Sequence, residues 1–252
     1  MTIENLEVHI FKDLAEMAGF AIKKWQIVSG EAIKDRGRFN VALSGGKTPV
    51  TFYKQLAGFK GPMPWDKTHI FLVDERFVPY DDDKSNYRMI FRTLVKGVQV
   101  PTENIHPVST AVSSSQTSAS KYEGDLISYF DLSQDEFPKF DLMFLGIGED
   151  GHTASLFPET AALDETRRLA VAVTPSDAAK KDRITLTFPV INNAENVIFM
   201  VGGEGKAGIL KEVIEEESSQ LPASRVKPAR GKLFFLLDEG AGSLLSHAHG
   251  KQ

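Results

Sequence analysis

Apolar strand-like runs alternate with helical stretches along this chain, and that alternation predicts an α/β fold. The expected architecture is a mostly parallel sheet with helices on both faces, Rossmann-like, built as a single domain over residues 1–252. Two observations sharpen this. Residues 70–73 (Ile-Phe-Leu-Val) and 197–201 are continuous apolar runs of the kind buried on both faces in parallel sheets. Each main run also empties into a polar or Gly-rich cluster, and in open sheets of this class ligands sit outside the carboxyl ends of the strands.

The elements follow in order. Leu6, Val8 and Ile10 alternate with polar residues, as in a half-buried strand. Residues 13–35 carry apolar side chains at three- and four-residue spacing and predict a long helix. A short strand over 38–43 ends in Ser44-Gly45-Gly46, and Thr48-Pro49 starts a helix, with proline at a position where its missing N–H costs little. The 70–73 strand stops at Asp74-Glu75-Arg76, and a helix is expected over 85–96. The Ser-rich stretch 109–120 reads as loop plus helix cap. Strands are then expected over 140–145, 169–173, 183–188 and 197–201, followed by a helix over 205–217 and a strand over 232–237. No repeat or linker divides the chain.

At 252 residues the chain is long enough to bury a sizeable core. Its net charge of −5 provides no global field for nucleic acid or anionic membranes, so an anionic ligand must be held by local arginines and amides. The absence of cysteine excludes disulfides, thiolate chemistry and Cys-based zinc sites. There is neither a signal-peptide pattern nor a run approaching the ~20 apolar residues of a membrane span, which fits a cytoplasmic protein. The sequence leaves the oligomeric state open.

The most informative segment is Gly146-Ile147-Gly148-Glu149-Asp150-Gly151-His152-Thr153-Ala154-Ser155-Leu156-Phe157-Pro158. Glycines allow close backbone approach to a ligand, successive amides attract anions, and histidine moves protons near neutral pH. The Ser/Thr-containing residues after His152 are expected to open a helix. Gly146-x-Gly148-x-x-Gly151 matches the dinucleotide pattern. That reading fails, because the next strand ends in Thr174-Pro175 with no carboxylate. Gly205-Lys206 is followed by Ala207 and preceded five residues earlier by Met200, which rules out a nucleotide phosphate loop. Asp74, Asp150 and His152 have no second histidine at ligand spacing, so no metal is expected. His247 and His249 read as exposed. Ser44, Gly45 and Gly46 with Arg76, Arg183 and Lys206 place two Gly turns and three cations at one sheet edge. Each alone has an ordinary structural explanation, as a helix cap or a surface ion pair. Together they predict a site for a small phosphorylated anion.

The loops Leu43-Ser44-Gly45-Gly46-Lys47-Thr48-Pro49 and Val73-Asp74-Glu75-Arg76-Phe77-Val78 with Ser85-Asn86-Tyr87, together with the 146–158 segment, resemble the 6-phosphogluconolactonases. Arg183-Ile184-Thr185-Leu186-Thr187 and Gly202-Gly203-x-Gly205-Lys206-Ala207 are also similar to that family, in matching order from about residue 5 to 238. Lys47 stands where many members have Ser, which leaves the backbone role intact. The resemblance implies an α/β fold shared with glucosamine-6-phosphate deaminase and other sugar-phosphate enzymes. It also implies hydrolysis of 6-phospho-D-glucono-1,5-lactone in the oxidative pentose phosphate pathway, without metal or organic cofactor. The deaminases carry a similar Gly-Asp-Gly-His turn but continue Ile-Ala-Phe-Asn-Glu, placing Glu where this chain has Phe157, and they have an aromatic residue where this chain has Arg76. A non-catalytic sugar-phosphate sensor would carry an output module such as a helix-turn-helix. Here the chain begins directly with the first strand and shows no basic recognition helix.

The expected mechanism follows. Arg76 and Arg183 hold the 6-phosphate with donors from Ser44, Gly45 and Gly46, and Lys206 adds charge. His152 takes a proton from the attacking water. Amides of the turn marked by Gly146, Gly148 and Gly151 receive the oxyanion. Asp150 either orients the imidazole or braces the loop.

Overall fold

The computed structural model describes residues 5–175 and 181–246; His247 and His249 lie outside them. The chain runs β1 (Leu6–Phe11), α1 (Leu14–Arg36), β2 (Phe39–Leu43), α2 (Thr48–Gly58), β3 (Thr68–Leu72), β4 (Asp74–Arg76), α3 (Asn86–Thr93) and β5 (Ile105–His106). It continues through α4 (Ser115–Phe130), β6 (Leu142–Leu145), β7 (Ala170–Val173), β8 (Arg183–Leu186), α5 (Phe188–Ile191), β9 (Asn196–Val201), α6 (Ala207–Glu215) and β10 (Lys232–Asp238). Seven strands form one sheet in the order β1-β10-β9-β6-β2-β3-β5, every pairing parallel. β4, β8 and β7 form a separate antiparallel sheet.

Pairing register explains why both faces are covered. Phe39 and Phe144 lie on one face and meet Trp25 of α1, with ring centroids 5.2 and 6.2 Å away. Phe71 has the opposite parity and meets Tyr129 and Phe130 of α4 at 5.1 and 5.6 Å. Side chains alternate across a strand, so consecutive apolar residues feed two cores. Phe39, Val41, Ala42, Leu43, Phe71 and Phe144 are all essentially inaccessible to solvent. α1 starts where Asp13 accepts from the amides of Ala15 and Glu16, both at 2.9 Å. It stops at Gly37, whose φ of 74° and bond to the Ile33 carbonyl close the helix.

Three expectations change. Asp74-Glu75-Arg76, read as the end of a strand, is itself β4. After Val73 the chain leaves the large sheet and pairs with β8, the central strand of the small sheet, whose Ile184, Thr185 and Leu186 are all buried. The residues after His152 form no helix: Leu156 donates to the Thr153 carbonyl at 2.9 Å, and Ala154 sits at φ 52°. A left-handed residue ends helical progression, so a tight turn stands there instead. The Ser-rich stretch is the expected loop and cap: Ser114 accepts from the Thr117 amide at 3.1 Å and opens helix α4. α3 stops at Thr93, short of the expected 96.

At the β5 edge, His69 Nδ1 and His106 Nε2 share a 3.2 Å hydrogen bond, with His106 stacked on Phe71 at 4.1 Å. Burial and then the neighbouring His69, opposed by Asp125, push His106 down to about 4. Burial and Arg38 lower His69 as well. The unfolded chain therefore takes up these protons first as pH falls. The pair's contribution to stability is complete above the ordinary histidine value of 6.5 and is lost progressively toward pH 4. Melting temperature should drop over that window, and His106→Phe should flatten the dependence; an unaltered slope in the variant would rule this out.

Candidate active site

A parallel sheet delivers the ends of β2, β3, β6 and β9 to the same edge, and the four polar loops converge there on a cleft of about 510 Å³. Ser44, Gly45, Gly46, Arg76, Gly146, Gly148, His152, Arg183 and Lys206 all border it, as sequence reasoning expected. Asp150 and Gly151 are not among the residues that border it.

The histidine end is built by glycine. His152 Nδ1 lies 2.5 Å from Asp150 Oδ1, which also accepts the His152 amide at 3.2 Å. The carboxylate therefore fixes the ring by one nitrogen and leaves Nε2 for chemistry. Burial alone would raise the Asp150 carboxyl, but hydrogen bonding and the charge of His152 outweigh it and hold the group below its ordinary value. Gly148 makes this pairing possible: a Cβ there would lie 2.0 Å from His152 Nδ1 and 2.6 Å from Asp150 Oδ1. The Gly148 amide donates to the His152 carbonyl at 2.8 Å, and the Gly151 amide to the Gly148 carbonyl at 3.3 Å. Those two N–H groups are therefore committed within the turn. Any oxyanion role falls to other amides, among which Gly146, Ile147 and Glu149 belong to residues bordering the cleft. Phe157 backs the imidazole with its ring 4.5 Å away.

The opposite end is cationic. Arg76 and Arg183 occupy directly opposed positions of the β4–β8 ladder. Like charges at such positions repel. Burial, followed by the charge of Arg76, holds the Arg183 guanidinium below its ordinary range, while Asp74 and Glu75 oppose the shift. Arg76 Nη1 donates to the Lys84 carbonyl at 2.6 Å, but the Nε atoms of both arginines are buried without a partner. Two desolvated guanidinium groups with unused donors are what a phosphate neutralises. The Ser44 side chain is engaged within the protein. Its hydroxyl donates to the Phe144 carbonyl at 2.8 Å, and its own carbonyl accepts from Tyr53 at 2.7 Å. Its side chain thus anchors the turn, and Gly46, at φ 115°, continues it toward α2.

Sequence reasoning passed over the polar residues beneath these groups. Asp74 Oδ2 accepts from the Ser155 hydroxyl at 2.5 Å and Oδ1 from Asn86 Nδ2 at 3.2 Å. Glu75 accepts from the amides of Arg76, Asn86 and Tyr87 at 2.7, 2.7 and 2.8 Å. Burial raises the Glu75 carboxyl, and these amides pull it back. The signal was present in Asp74-Glu75 followed by Ser85-Asn86: two carboxylates ahead of a helix start, where orphan amides attract negative charge. Among the described residues, no group of three or more His, Asp or Glu side chains is placed to hold a metal ion, and no helix is long and apolar enough to cross a membrane.

Residues 12–235 match the family described as glucosamine-6-phosphate isomerases/6-phosphogluconolactonase. The chain belongs to this family. It is 42% identical over 217 residues to a 6-phosphogluconolactonase of Synechocystis sp., covering 85% of this chain and 88% of that one. Against the rat 6-phosphogluconolactonase it is 37% identical over 215 residues, covering 84% and 82%. The 6-phosphogluconolactonase structure from Trypanosoma cruzi superposes with a TM-score of 0.86 at 29% identity, covering 98% of this chain and 99% of that one. The one from Thermotoga maritima gives 0.79 at 31% identity, covering 92% and 99%.

The unused guanidinium donors make a binding prediction. Inorganic phosphate should raise the melting temperature, with a stabilisation of about 2.7 kcal/mol at a hundred times its dissociation constant. Arg183→Ala should remove most of the shift. Chloride at matched ionic strength producing the same shift would contradict a specific anion site.

Proposed function

We propose that this chain, acting as one domain, hydrolyses 6-phospho-D-glucono-1,5-lactone to 6-phospho-D-gluconate in the oxidative pentose phosphate pathway. The observation that carries the reading is one imidazole, fixed by Asp150, bordering the same cleft as two opposed arginines. Arg76 and Arg183 take the 6-phosphate, with Lys206 and the Gly45–Gly46 amides at the same end. The lactone carbonyl is thereby presented to His152.

His152 Nε2 accepts a proton from water as its oxygen attacks C1, and the carbonyl oxygen gains the negative charge. The remaining amides of the 146–151 turn stabilise that charge. Collapse breaks the bond between C1 and the ring oxygen, and His152 returns its proton to the departing oxygen. Asp150 keeps the imidazole oriented, as a carboxylate partner does in other hydrolytic sites. Deamination coupled to isomerisation requires further acid/base groups along the sugar. At the position where deaminases keep a Glu, this chain buries Phe157 against the imidazole. That difference favours lactone hydrolysis, which needs one base and a water.

The direct test is acceleration of fresh lactone hydrolysis above its spontaneous rate, with ammonia release from glucosamine 6-phosphate as the counter-assay. His152→Ala should lower kcat by roughly 10²–10⁴ while phosphate still binds. Gly148→Ala should lower kcat as well, because its methyl group displaces the ring. Arg76→Ala should raise KM by about one to two orders of magnitude, the scale of a lost charged hydrogen bond of ~1.5–3 kcal/mol, with kcat retained. A wild-type kcat in His152→Ala would remove the base assignment.

A further inference from the structure

Asn86 opens α3 at the wall of the cleft and is 1% exposed. Its side-chain oxygen has no hydrogen-bond partner. The other end of the amide fixes its orientation. Nδ2 donates to the Asp74 carbonyl at 2.9 Å and to Asp74 Oδ1 at 3.2 Å, both acceptors. Rotating the amide by half a turn would set an oxygen against two oxygens, so Oδ1 must face away from Asp74. It faces Gly45, where a Cβ would lie 1.9 Å from Oδ1 and 2.4 Å from Cγ. Only a glycine hydrogen fits in that space, and a Cα–H directed at a carbonyl oxygen is a weakly favourable contact.

We infer that Asn86 is a positioning residue for the anion end of the cleft. It clamps the Gly45–Gly46 turn to the β3–β4 junction that carries Arg76, so that turn amides and guanidinium converge on one phosphate. The turn's other anchors lie on the far side: Ser44 is held by Phe144 and Tyr53 from β6 and α2. On the Asp74 side the amide of Asn86 spans the gap. Its backbone N–H is meanwhile held by Glu75 at 2.7 Å, so the clamp cannot swing with its helix. The inference rests on reading the cleft as a sugar-phosphate lactonase site, and it assigns Asn86 to substrate affinity, not to the bond-making step.

The test measures inorganic phosphate binding by calorimetry and lactone kinetics on the full chain. Asn86→Ala should weaken phosphate binding and raise KM for the phosphorylated lactone in parallel, by about tenfold (about 1.4 kcal/mol), with kcat within about twofold of wild type. Gly45→Ala reaches the same clamp from the other side. Its methyl group collides with Oδ1, and it should show the same loss of phosphate affinity even if Asn86→Ala does not fold. Unchanged phosphate affinity in both variants, or a fall in kcat without a change in phosphate affinity, would overturn the inference. If wild-type protein binds phosphate and the variants bind it weakly, but no preparation hydrolyses the lactone, the clamp stands and the lactonase reading fails.

Discussion

The Asp74 carboxylate is where the molecule's separate parts are tied together. It is buried at 6% exposure, accepts from Ser155 on the histidine turn, and accepts from Asn86 at the start of α3. The residue before it, Val73, belongs to both sheets: its amide donates to the Leu43 carbonyl in the large sheet at 3.0 Å, and its carbonyl accepts from Leu186 in the small one at 2.9 Å. One step along the chain thus converts a parallel strand into an antiparallel one. A buried carboxylate at such a corner is tolerable only when its oxygens are hydrogen-bonded. The partners that meet this demand are the residues that place the histidine turn and the anion turn. The corner and the cleft therefore share the same hydrogen bonds.

The cationic part of the cleft is left with unpaired donors. Two arginines face each other, and burial followed by the charge of Arg76 disfavours the charged form of Arg183. Asp74 and Glu75 beneath them supply compensating charge, but both carboxylates spend their hydrogen bonds on Ser155, Asn86 and the start of α3 rather than on the guanidinium groups. Arg76 Nη1 is held by the Lys84 carbonyl, and the Nε atoms of both guanidinium groups are left without a partner. The histidine end is arranged in the opposite sense, with Asp150 engaging one ring nitrogen directly.

Much of this was legible in the sequence. Apolar runs over 70–73 and 197–201 announced buried parallel strands, and the polar clusters behind them announced the cleft, because parallel pairing sends every such cluster to one edge. The departures came where local pattern and tertiary context disagree. Asp74, Glu75 and Arg76 look like a solvated loop, and only pairing with a strand more than a hundred residues later makes them β4. Thr153, Ala154 and Ser155 have no feature that forbids a helix, yet Ser155 is drawn to Asp74 and Ala154 adopts φ 52°. The Ser44 hydroxyl reads as a ligand donor, and its acceptor within the protein, the Phe144 carbonyl, lies a hundred residues away. Asn86 was visible in its motif, but nothing local revealed that its amide reaches Gly45.

The division into two sheets has a consequence for how such a protein diversifies. The histidine turn is rooted in the large sheet at the end of β6, whereas Arg76 and Arg183 stand on the small antiparallel sheet. The two sets of residues thus stand on different sheets and border one cleft. Asp74 on the small sheet holds Ser155 of the histidine turn, and the Gly45–Gly46 turn and Lys206 follow strands of the large sheet. A change on either sheet therefore reaches both parts of the cleft, and such a scaffold diversifies through paired substitutions.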